Sequence, residues 1–69
     1  MDAPLNQMAT LIKLRRKELK IKQEDLSEIT QVALRTIRDM EKGIANPSAQ
    51  TMQKIMTVLG IEWLFQLRK

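Results

Sequence analysis

Apolar residues recur at spacings of three and four in short runs, and each run is closed by a glycine, a proline or a polar turn. That punctuation restricts most of the chain to short packed helices, because such spacing lines one face of a helix whereas a half-buried strand needs strict alternation. The first run takes in Leu5, Met8, Ala9, Ile12 and Leu19, and Pro4 suits a first helical turn, where its missing N–H leaves no bond unmade. The last turn holds Arg15, Arg16 and Lys17, cations that oppose the negative end of the helix dipole. A second helix is predicted from Gln23 to about Thr30, with Glu24 and Asp25 in the first turn, where carboxylates are favoured. Leu26 and Ile29 form its expected inner face. After a turn at Gln31, Val32 and Ala33, a third helix from Leu34 to Lys42 buries Ile37 and Met40 and stops at Gly43. Asn46 and Pro47 mark a loop, since the residue before a proline avoids helical angles. Ser48 then caps a fourth helix with the stripe Met52, Ile55, Met56 and Leu59, ending at Gly60.

A chain of 69 residues forms one domain, and a fold of that size hides only about 60% of the surface its unfolded chain exposes. It has no cysteine and no histidine, so disulfides and the usual zinc sites are not available to supplement the core. Association with a second copy is the expected supplement. The same omissions, with no tyrosine, remove the common nucleophile and base pairs; no enzymatic activity, no metal and no cofactor are expected. The five methionines are read as adaptable core filling. Residues 1–9 carry neither a basic nor an apolar leader, and no apolar run nears the roughly 20 residues a bilayer span requires. With cysteine absent, a cytoplasmic setting and no membrane partner are expected. The net charge is +4, and half of the lysines and arginines fall between Lys13 and Lys22. Such an excess attracts polyanions by Coulomb steering and counterion release, although a solvated helix face explains it as well.

The chain divides into residues 1–60, the helical domain, and 61–69, a tail of different pattern. Ile61, Trp63, Phe65 and Leu67 alternate with Glu62, Gln66 and Arg68, the period of two expected for a strand. Leu64 interrupts the alternation, and Ile61, Leu64, Phe65 and Arg68 also fit a short fifth helix. A lone strand needs partners for its backbone groups and cover for its apolar face, which makes a second copy of the tail its nearest partner.

The runs "IKQEDLSEITQVALRTIRDMEKG" and "NPSAQTMQKIMTVLG" resemble the Cro/C1-type (XRE) helix-turn-helix family across about residues 10–60, with Gln23, Leu26, Val32, Ile37, Glu41 and Gly43 in register. The apolar tail further resembles the HipB-type antitoxin subgroup, in which such a strand joins two protomers. The resemblance implies an all-α, compact four-helix, lambda repressor-like domain with a short C-terminal dimerisation strand. It also implies a sequence-specific regulator of double-stranded DNA, nucleoid-associated, whose third helix enters the major groove. Base readout would then fall to Leu34, Arg35, Thr36, Arg38 and Asp39. Arg35 can give a two-pronged donor to guanine, Leu34 can touch a thymine methyl, and Asp39 either accepts from cytosine or orients Arg35 as an i, i+4 partner. Gln23, Lys20, Lys22 and Arg16 are the implied phosphate contacts, which set register more than sequence preference. Arg16 and Glu41 match a partly buried structural ion pair of the family. Ile61, Trp63, Phe65 and Leu67 would make the homodimer. The subgroup likeness adds autoregulation and a HipA-like toxin kinase as partner.

Three positions depart from the family pattern. Gln31 stands where the turn often has glycine, and a non-glycine residue at positive φ costs about 1–2 kcal/mol. Ala33 and Lys22 replace capping hydroxyls, each cap contributing about 1 kcal/mol. With no second, ligand-sensing domain within the 69 residues, control is expected to come from outside. Two other functions compete: a protein-interaction module using the acidic face Glu24, Asp25 and Glu28, and a nonspecific nucleoid binder.

Overall fold

In a computed structural model that describes residues 4–62, the chain forms α1 (Pro4–Glu18), α2 (Gln23–Thr30), α3 (Leu34–Lys42) and α4 (Ala49–Leu59). The architecture is all-α: α1 and α2 each pack across both α3 and α4. Ile61 and Glu62 have no regular structure. The remainder of the alternating tail, with Trp63, Phe65 and Leu67, lies outside the described residues.

Three helices end in the same way. Lys20 (φ 58°), Gly43 (φ 76°) and Gly60 (φ 69°) take the left-handed conformation, and the next N–H reaches back to close the final turn: Ile21 to the Arg16 carbonyl at 3.1 Å, Ile44 to Asp39 at 3.0 Å, Ile61 to Met56 at 2.8 Å. This pattern satisfies carbonyls the helix would otherwise leave bare. Glycine adopts the geometry freely, whereas Lys20 pays about 1–2 kcal/mol for it. An isoleucine follows each of these left-handed residues. Ile21 and Ile61 pack against the core, but Ile44 stays 69% exposed.

The α2 to α3 turn relies on side chains. Gln31 sits at φ 60°, the positive angle its place in the turn demands. The Thr30 hydroxyl donates to the Leu26 carbonyl at 2.7 Å and accepts from the Val32 N–H at 3.3 Å, while the Ser27 hydroxyl donates to the Val32 carbonyl at 2.6 Å. Both backbone groups of Val32 are thus bonded, and its side chain can be buried without stranding them. Neither Lys22 nor Ala33 gives a side-chain cap; at Lys22 the backbone N–H donates to the Asp25 carboxylate at 3.2 Å. Ser48 does cap α4, accepting from the Thr51 N–H at 3.1 Å.

Ile12, Leu26, Val32, Ile37, Met40, Met52, Ile55, Met56 and Leu59 form the buried cluster, with Met8 against it. Truncating a fully buried member such as Leu26 to alanine would cost about 2–5 kcal/mol. Two expectations are corrected. Ile29 does not belong to the inner face of α2: it is 58% exposed, and Thr30 is buried in its place. Leu26 and Thr30 stand at i and i+4, and the hydroxyl of Thr30 can go inside because both of its bonds are made. Leu19 lies just past the end of α1, in the turn that Lys20 completes, and is 40% exposed.

Candidate nucleic-acid interface

The site is built around the carboxylate of Glu41. Arg16 on α1 grips it with two hydrogen bonds, Nε to Oε2 at 2.6 Å and Nη2 to Oε1 at 3.0 Å, and Nη1 donates to the Ile21 carbonyl at 2.8 Å. Gln23, the first residue of α2, adds a bond from its amide nitrogen to Oε1 at 3.2 Å. One carboxylate therefore ties α1, the α1–α2 turn and the start of α2 to the last turn of α3. The side chains of Arg16 and Glu41 are 11% and 4% exposed, so the pair is desolvated and two-pronged, the geometry in which an arginine–carboxylate contact is strongest. The hydrogen bonds it donates to Glu41 hold the Arg16 guanidinium above its ordinary basicity, against the opposing effect of burial.

Fixed in this way, α3 turns Ile37 and Met40 into the core and leaves Arg35, Arg38 and Lys42 exposed along one side. Leu34, Thr36 and Asp39 are half-buried at its margins. Of the two roles open to Asp39, the ion pair with Arg35 is absent among the described residues; its carbonyl is occupied by Ile44 and Ala45. The first turn of α3 has no side-chain cap and carries the exposed Arg35; a helix N-terminus of this kind favours an anion.

Next to α3 lies a cleft of about 380 Å³ lined by Lys13, Arg16, Lys17, Gln23, Arg38, Glu41 and Lys42. Five cations surround the single carboxylate of Glu41, which is already bonded to Arg16 and Gln23. Lys13 and Lys17 are one turn apart on α1, as are Arg38 and Lys42 on α3, and packing α1 on α3 brings the two pairs together. The sequence reading missed Lys13, Lys17 and Lys42 as contributors; the two i, i+4 basic pairs were the available signal. Gln23 and Arg16 border this cleft, with all three Arg16 nitrogens donating within the protein. Lys20 does not join it. Lys20 lines a separate hollow with Ile21, Asp25, Glu28 and Ile29, and Lys22 is exposed at the start of α2.

A helix-turn-helix family model matches residues 12–65 of this sequence. The chain belongs to the Cro/C1-type helix-turn-helix family. An uncharacterised HTH-type transcriptional regulator of Methanothermobacter thermautotrophicus is 44% identical over 55 residues, covering 80% of either chain. The crystal structure of a point mutant of the restriction-modification controller protein C.Esp1396I superposes with a TM-score of 0.78 at 25% identity, over 90% of this chain and 80% of that one. MDT protein gives a TM-score of 0.81 at 23% identity, over 100% and 97% of the two chains, a likeness of fold. Within this helix-turn-helix protein, α2 and α3 are the two helices of the motif. Arg15, assigned from sequence to the dipole of its own helix, serves α4 instead: its Nε donates to the Leu59 carbonyl at 2.8 Å. Among the described residues, no helix is long and apolar enough to cross a membrane.

Proposed function

We propose that this DNA-binding transcriptional regulator acts as a dimeric repressor, reading a palindromic operator with α3. The observation that carries the proposal is the clamp on Glu41, which holds one end of α3 to two other helices while Arg35 and Arg38 stand outward beside a cationic cleft. Arg35 is the leading base reader, through guanine O6 and N7, with Arg38, Thr36, Leu34 and Asp39 flanking it. Lys13, Lys17, Lys42 and Gln23 hold the phosphates on one side, and Lys22 stands at the start of α2 to extend them. Two copies would set their recognition helices about 34 Å apart, in successive major grooves of one face. Joining of the copies falls to the tail through Ile61, Trp63, Phe65 and Leu67. Autoregulation beside a HipA-like toxin kinase is the finer form of the same reading.

Selection of bound duplexes from a random library tests this directly. The expected product is a palindrome whose affinity falls steeply with salt and whose central guanine preference disappears in Arg35→Ala. Equal loss of affinity for every sequence would instead mark a nonspecific binder, and no enrichment at all would leave α3 without a role in readout. Replacing Trp63 and Phe65 together by serine is expected to give a monomer with weakened operator binding, read by sedimentation.

A further inference from the structure

The core-facing side of α1 carries Ala9, Ile12 and Arg16, all buried. On the opposite side, between Gln7 and Glu18, Leu11 and Leu14 are 46% and 57% exposed. They stand three apart, so they form one patch on the outer face of the helix. Arg15 lies one turn on from Leu11 and next to Leu14, and it holds the end of α4 by its bond to the Leu59 carbonyl. Its guanidinium also comes within 3.4 Å of the position a Cβ would take on Gly60. The chain therefore leaves α4 beside this patch, turns inward at Ile61, which packs on the core, and has seven residues beyond Glu62. Those seven include Trp63, Leu64, Phe65 and Leu67.

We infer that the Leu11 and Leu14 face of α1 receives the apolar tail of a second copy of this chain. The inference rests on the dimer reading above and adds the surface that reading lacks. Two paired tails would place Trp63, Phe65 and Leu67 on one side of a ribbon, and a two-stranded ribbon needs an apolar surface beneath it to persist. Leu11 and Leu14 supply that surface at the point where the tail departs. Ile61 already packs on its own core, which leaves the apolar residues after it to a second copy. A two-fold axis then gives each copy one tail and one receiving face, leaving neither uncovered. Arg15 acquires a consequence from this arrangement: by fixing α4 to α1 it fixes the tail exit relative to the clamp on α3, and so sets the spacing of the two recognition helices.

The chain has no cysteine, which allows a clean cross-linking test. A Leu14→Cys chain is mixed with Phe65→Cys and, separately, with Trp63→Cys and Leu67→Cys chains, then oxidised. The expected result is a covalent dimer containing one chain of each kind in at least one mixture, since a disulfide forms only where Cα atoms come within about 7 Å. In parallel, Leu11→Glu with Leu14→Glu is expected to raise the dimer dissociation constant roughly tenfold or more while keeping the helical circular dichroism of the parent. Absence of a mixed covalent dimer from all three mixtures would overturn the inference. So would a parent-like dimer of the double glutamate variant that gives no mixed cross-link. In that outcome the dimer reading stands; a parent chain that sediments as a monomer removes both.

Discussion

The two ends of α3 are held in opposite ways. At its last turn, Glu41 receives three hydrogen bonds from Arg16 and Gln23, and Gly43 closes the helix with a left-handed turn that costs it little. At its first turn there is no side-chain cap, the preceding Gln31 is held at positive φ, and Arg35 is exposed. Stability is concentrated where the helix meets the scaffold, and unsatisfied donors are concentrated where it meets solvent. A helix fixed at one end presents the other in a defined direction. Its uncapped N–H groups and exposed guanidinium are then pre-oriented for a polyanion, so less ordering is left to do on binding.

The sharpest way to break the contrast is at the clamp. Glu41→Ala strands a buried guanidinium and should cost about 3–5 kcal/mol, read as a drop in urea midpoint. In a domain this small that is a large share of the total stability. Replacing the pair together, Arg16→Met with Glu41→Leu, should recover most of the loss. Next in size is Gly43→Ala, which forces a β-carbon into φ 76° and should cost about 1–2 kcal/mol. At the other end the sign reverses. Ala33→Ser supplies the missing cap and should stabilise the fold by about 1 kcal/mol, measured by the same titration. Smallest of all is Arg35→Ala, expected to shift stability by no more than about 0.5 kcal/mol while reducing discrimination at one base pair by about 1–3 kcal/mol. A stability loss at Arg35 comparable to that at Glu41 would erase the distinction between the two ends.

Much of this was legible in the residues. The end of α3 and both bounds of α4 follow from Gly43, Ser48 and Gly60, because glycine and serine act through local backbone chemistry that needs no tertiary contact. The exposed line of α3 likewise follows from the burial of Ile37 and Met40. Ile29 was misread because an eight-residue helix is too short for an i, i+3 pair to outvote an i, i+4 pair, and a threonine with both hydroxyl bonds made does not look apolar. Leu19 extends the apolar pattern one residue past the end of α1 at Glu18, into the turn that Lys20 completes. Arg15 and the cationic cleft were hidden for a different reason: the partner of Arg15 is 44 residues away, and Lys13, Lys17 and Lys42 become neighbours only when α1 packs on α3. Dependence on tertiary placement also explains why Lys20, adjacent in sequence to the basic run, ends beside Asp25 and Glu28.

The most direct measurement is amide chemical-shift mapping with a selected operator duplex. The account expects the largest changes at residues 33–39, with a second set at Lys13, Lys17, Gln23 and Lys42, and little movement at Glu24, Asp25 and Glu28. Perturbation centred on that acidic face of α2, with residues 33–39 unmoved, would contradict it.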